Sequence, residues 1–273
     1  MTTADYLESL QNDLETINTS LGLQSGTKFT DIATMAENGD ITVGGGSSIS
    51  DYFYNENSVN GSTSSYDIPL WTTYVKKLSS DIKLSSTTTS LARAFWGYNG
   101  ETLDLSNFDT RNISDFNMMF NKSNFTSLTL GTNFSVQSAT DLSSMFESNR
   151  SVTSLDLSQF GQCSCGSLNN MFNNCTSLTS VDLRNFNSTA SFLNTNYMFR
   201  GDSGLSALQH IDMRSFDFSA KSVNLSMMFG SNSGYGIPNN CEIIVKDTTE
   251  KSYFNTNLSR LTNVKTAAEY EAN

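Results

Sequence analysis

Cysteines are the first residues in this chain whose spacing could do chemistry. Cys163 and Cys165 form a C-x-C pair, Cys175 follows ten residues later, and Cys241 lies far downstream. Close thiolates suit a soft metal ion, but zinc sites use C-x2-4-C spacing with a second pair of ligands, which is missing. Cys175, in Asn173-Asn174-Cys175-Thr176, reads as a small apolar filler of a core, with a disulfide or a metal as the alternative. His210 is the one histidine, so any histidine-based triad would rest on it alone. It occupies an outward repeat position and reads as a surface residue. No G-x-S-x-G elbow, H-E-x-x-H or phosphate-binding loop occurs. A glycosidase needs two carboxyls in different environments, whereas the recurring aspartates look equivalent. No enzyme, metal or cofactor is therefore expected. Arg200-Gly201-Asp202 spells an integrin-type tripeptide; we read it as chance.

The elements that position these residues come from a repeat. A short apolar strand, a Phe and a Met-Phe pair recur, most cleanly as Leu178-x-x-Val181-x-Leu183-x-x-Phe186 followed by Tyr197-Met198-Phe199. The strand-end Phe recurs at 108, 134, 160, 186 and 216, and the second Phe at 120, 146, 172, 199 and 229. A near-constant period of this length marks a solenoid. The expected fold is α/β: a leucine-rich-repeat-type solenoid with a parallel sheet on one face and short helical or 3₁₀ return segments. Strand residues alternate inward and outward, so the Leu, Phe and Met-Phe residues fill the interior, where methionine's flexible thioether suits irregular gaps.

The outward positions form the candidate binding surface: Asp104, Thr129, Asp156, Asp182, Arg184, His210, Asp212 and Arg214. Asp156, Asp182 and Asp212 would align as a ladder. Like charges opposed across strands are destabilising, and Arg184 and Arg214, two residues along, are placed to compensate. Such a ladder either hydrogen-bonds a glycan, holds a cation, or is simply a solvated face.

Flanking segments differ in pattern. Leu7, Leu10, Leu14, Ile17 and Leu21 keep the 3-4-3-4 spacing of a coiled-coil seam. They predict either a homo-oligomerisation helix or a helix folded on its own neighbour. Gly44-Gly45-Gly46-Ser47-Ser48 is a flexible linker by composition. We divide the chain into an assembly module (1–46), an N-terminal cap (47–80), five to six repeats (81–240) and a C-terminal cap (241–273).

Composition narrows the partners. With 16 Lys+Arg against 27 Asp+Glu and a net charge of −11, nucleic acid is not expected, because neutralising phosphates supplies most non-specific affinity. No apolar run approaches the roughly 18 residues of a membrane span. The first eight residues carry an Asp and a Glu, with no basic and apolar leader, so no signal peptide is expected.

Leu103-Asp-Leu-Ser-Asn-Phe-Asp-Thr110 and Met171-Phe-Asn-Asn-Cys-Thr-Ser-Leu-Thr-Ser180 resemble the BspA-like leucine-rich-repeat surface proteins, as does the ending from Ile243 to Glu271. That resemblance covers about residues 80–272 and implies an adhesive surface without a common catalytic site. The first 46 residues, through Ala4-Asp-Tyr-Leu-Glu-Ser-Leu10 and Phe29-Thr-Asp-Ile32, are similar to a module opening many bacteriophage virion proteins. Together these imply a tail-associated virion protein that contacts other virion proteins and binds a host surface glycan or protein. The alternatives are a bacterial cell-surface adhesin, an architectural decoration protein, and a glycan-degrading enzyme, which the lack of a distinctive acidic pair disfavours.

Overall fold

Every strand among the described residues is too short to stand alone, and each finds its partner one repeat away. In the computed structural model the described residues are 89–221, 223–230 and 236–272. The N-terminal helix, the linker and the cap expected over 47–80 lie outside them, as do the boundaries drawn there. The architecture is mixed α/β, with parallel sheets and a few short helices. β1 (Thr102–Leu105) pairs with β2 (Ser127–Leu130). A second parallel sheet runs β3 (Ser154–Asp156), β5 (Ser180–Asp182), β7 (His210–Asp212), β8 (Glu242–Val245) and β9 (Val264–Thr266). On a lateral edge, β4 (Gln162–Cys163) pairs with β6 (Asn187–Ser188).

Alternation sets the burial. Leu103, Leu105, Leu155, Leu157, Val181, Leu183, Ile211 and Met213 point into the core, while Thr102, Asp104, Ser154 and Asp156 are exposed. The expected Met-Phe pairs are fully buried from Met119-Phe120 to Met228-Phe229. Phe95, Phe120, Phe146, Phe172, Phe199 and Phe229 form one stacked column, with successive ring centroids 5.1–5.7 Å apart. Phe134, Phe160, Phe186 and Phe216 line a second column at 5.3–6.0 Å. Such ring pairs add to the area they bury.

The return segments depart from expectation. They are not helical or 3₁₀ in the repeats up to Phe199; they are tandem hydrogen-bonded turns. Met119 N–H closes on Phe116 O, and Ser123 N–H on Phe120 O, with Met118 and Lys122 at φ of 56° and 58°. The same left-handed positions recur at Ser144 and Ser148, at Asn170 and Asn174, and at Tyr197. A positive φ at the third turn residue is the type II signature, and it forbids helix propagation. Alternate N–H groups thereby point along the stack: Met118, Phe120 and Lys122 donate to Ser143, Met145 and Glu147 carbonyls at 2.8–3.0 Å. The return face is thus a second inter-repeat ladder, continued by parallel bridges joining Ser90, Asp115, Asp141, Ser167 and Asn194. Among the described residues only the last repeat is helical there, with α1 (Phe218–Lys221) and α2 (Leu225–Met228).

The far end is closed by α3 (Thr248–Asn257) and α4 (Ala267–Glu271). Asp247 caps α3 by accepting from Thr249 and Glu250 N–H. Phe254 of α3 lies 5.8 Å from Phe229, the end of the first column, and 5.7 Å from Phe218, which stacks on Phe216 at the end of the second. Arg260 then clamps the carbonyls of Phe229, Gly230 and Ile237.

Two expectations about stability follow. Phe172→Ala, between Phe146 and Phe199, should cost about 3–5 kcal/mol in urea unfolding, whereas Phe192→Ala should fall within about 0.5 kcal/mol, since Phe192 is 72% exposed. Ser148, at φ 60°, should gain about 1 kcal/mol as Gly and lose at least as much as Val, because a β-branched residue is disfavoured in the left-handed region. A melting series of these two variants checks it; equal effects would remove the turn argument.

Candidate functional site on the strand face

The register brings the expected ladder together. Asp156 lies opposite Asp182, and Asp182 opposite Asp212. Asp104 and Thr129 face one another in the separate β1–β2 sheet, so the eight candidates divide between two sheets. Gly131 marks the end of β2: a Cβ there would sit 1.9 Å from the Ser106 carbonyl oxygen, so no larger residue fits the approach.

Each aspartate first serves its own chain. Asp104, Asp156, Asp182 and Asp212 accept the N–H of Ser106, Ser158, Arg184 and Arg214, two residues on. These Asx turns bend the chain at the strand end. Asp182 and Asp212 also receive the arginines. Arg184 Nε lies 2.8 Å from an Asp182 oxygen, and Arg214 Nη2 lies 2.6 Å from Asp212. Burial acts to raise the Asp182 carboxyl, but the Arg184 hydrogen bonds and charge hold it below the usual range. The expected compensation of the ladder is therefore present at two of its three rungs.

The sequence-predicted face stops two strands early, before β8 and β9. His210 lies opposite Glu242 of β8, with Nδ1 2.8 Å from Glu242 Oε2. Lys265 of β9 donates to the other Glu242 oxygen at 2.7 Å. The Lys265 hydrogen bond lowers the Glu242 carboxyl against its burial, and His210 adds to the effect. Tyr270 and Glu271 of α4 then cross the face: Tyr270 lies 5.5 Å from Arg214 Cζ and 5.7 Å from the His210 ring. Glu271 pairs with Arg214 Nη1. Glu242 was legible as the outward residue of the Cys241–Val245 strand; the two α4 residues carried no repeat signal.

The other chemistry-bearing residues are held in the fold. Cys163 and Cys165 form a disulfide with Cα atoms 5.4 Å apart. Cys175 is buried, as expected of a core residue, and its thiol donates to Phe146 O at 3.0 Å. Ser123, at the matching place, donates to Phe95 O at 2.6 Å. Desolvation pushes the Cys175 thiol up to about 12, far from a reactive thiolate. In the Arg200-Gly201-Asp202 tripeptide, Gly201 is buried, Arg200 lies 4.9 Å over Tyr197, and Asp202 exchanges two hydrogen bonds with Asn174. Leu7, Leu10, Leu14, Ile17 and Leu21, the expected oligomerisation residues, lie outside the described residues. Among the described residues no group of His, Cys, Asp and Glu could hold a metal ion, and no helix is long and apolar enough to cross a membrane.

Comparison with known proteins adds one finding. Residues 89–211 match the family described as "Mycoplasma protein of unknown function, DUF285", a span from the first described repeat into β7. No curated protein and no solved structure matches the chain.

The carboxylate–arginine rungs make a pH prediction. Asp182 is lowered in the fold, so its pairing stabilises above the ordinary aspartate range near 3.8 and is lost as pH falls through the lowered folded value. Arg184→Ala should therefore lower the melting temperature near pH 6, with the gap to wild type closing in strong acid. A gap independent of pH would mean that Arg184 acts by packing alone.

Proposed function

We propose that this chain is a tail-associated bacteriophage virion protein whose leucine-rich-repeat-type solenoid presents a strand face for host-cell binding. The observation carrying this reading is the division of labour within each repeat. The recurring Phe and Met-Phe residues are spent on the interior, as are the strand leucines save the half-buried Leu128 and Leu130, and the outward strand residues line up in register as a polar, charged surface. A solenoid of this kind offers an extended surface rather than an enclosed site. In this reading the protein is not an enzyme. The cleft beside β4 is lined by Ser135, Gln137, Gln159, Gln162, Ser164 and Thr189, which supply hydroxyls and amides but no acid–base pair.

Residues 1–46 would dock and oligomerise the protein among other virion proteins, 47–80 would cap the solenoid, 81–240 would hold the repeats, and 241–273 would close it. Several weak sites on an oligomer would then bind the cell by avidity. A second reading, a bacterial cell-surface adhesin, is favoured by the DUF285 match, which runs over the same residues that resemble the BspA-like repeats.

Immunogold electron microscopy on an induced lysate of the source strain tests both. Gold at tail tips or fibres is the expected result. Gold on cell walls with bare particles would replace it with the adhesin, and gold over capsids with a decoration protein. Turnover of host wall polysaccharide by the purified protein would overturn the non-enzymatic reading.

A further inference from the structure

The end of the strand face around Arg214 carries more than a solvated ladder. Asp212 is 98% buried and fixes the Arg214 guanidinium through Nε at 3.0 Å and Nη2 at 2.6 Å. That leaves Nη1 as the outward-facing donor, and a carboxylate occupies it, from Glu271. A flat ring lies beside that carboxylate: Tyr270, packed over both Arg214 and His210. The segment that delivers them is anchored at its start, by the Thr266–Glu269 capping box and the Lys251–Glu269 ion pair, and lies on the surface beyond it. α4 has no buried residue, the Glu271 side chain is 66% exposed, and Tyr270 is 37% exposed. The floor beneath is rigid by contrast, because His210 is fixed by Glu242, which is in turn held by Lys265.

We propose that Arg214 and His210 form a subsite for an acidic saccharide, and that Tyr270 and Glu271 occupy it as the chain's own stand-in. The inference rests on the host-binding reading above and names its ligand class. A sugar ring bearing a carboxylate presents the same two features as the Tyr270–Glu271 pair: a flat face for the His210–Arg214 surface, and an anion for the fixed guanidinium. The donor that Glu271 now satisfies belongs to a guanidinium, so a carboxylate replaces Glu271 like for like, which a neutral glycan does not. Arg184 stands one strand away, about 4.8 Å by sheet geometry, with its side chain 53% exposed. It would meet a second acidic residue of the same chain.

The test is direct binding of a galacturonic acid oligosaccharide, with the matching galactose oligosaccharide as control. The full chain carrying Tyr270→Ala and Glu271→Ala should bind the acidic probe about tenfold more tightly than wild type, the size of one charge-assisted hydrogen bond no longer competed away. Adding Arg214→Ala should abolish that binding. Glu271→Gln alone, which keeps the ring, should shift affinity in the same direction and serves if the double variant is poorly folded. Equal binding of the neutral probe, indifference to Arg214→Ala, or no binding by any variant would overturn the proposal. If wild type still binds intact host cells in that case, only the subsite fails; if it binds none, the host-binding reading fails with it.

Discussion

No repeat in this protein has an interior of its own. Each contributes a strand of three or four residues, a buried Phe at the strand end and a second Phe on the return, and these are buried only by the copies above and below. The Phe95-to-Phe229 column, with rings 5.1–5.7 Å apart, is that dependence made visible. Everything else follows from keeping successive copies at the spacing of hydrogen-bonded strands. The turns adopt left-handed residues so that their N–H groups reach the next copy, and small donors such as Ser123 and Cys175 reach back to the Phe carbonyls of the previous copy. Stability of this sort accumulates by nearest-neighbour contacts.

A column of this kind must end somewhere without exposing a ring to water. Phe254 covers the first column at Phe229 and, through Phe218, the second at Phe216, and Arg260 satisfies the last carbonyls. The same tail that closes the core also carries α4 across the strand face. Structure and surface chemistry are therefore linked at this end: the cap brings Tyr270 and Glu271 to the arginine ladder that the repeats build.

Periodicity made much of this legible. The spacing of Phe and Met-Phe residues located the core, and the alternation of Leu103-Asp104-Leu105 and its copies placed Asp156, Asp182 and Asp212 on one line. The conformation of the return was not legible, because Met-Phe spacing suits a helix or a turn equally. What decides it is backbone φ at residues such as Met118 and Tyr197, whose side chains give no warning of a left-handed turn. The interruption between β2 and β3 was hidden too. Strand residues step by 25 from Thr102 to Ser127 and by 27 from Ser127 to Ser154, while the Phe positions keep a step of 26. Tyr270 and Glu271 belong to no repeat, so only tertiary structure could place them beside Arg214. The Cys163–Cys165 disulfide was only a minor alternative, because the cysteines read first as core filler, with a disulfide or a metal behind it.

The central claim is that both faces join successive repeats and that, under the proposed function, only the strand face also binds. Hydrogen–deuterium exchange on the full chain, with and without host-cell envelope fragments, tests it most directly. Protection on binding should appear along β3, β5, β7 and β8, and the return turns from Phe116 to Ser123 and from Leu142 to Asn149 should be unchanged. Protection confined to those return turns, with the strand face unaltered, would contradict the account.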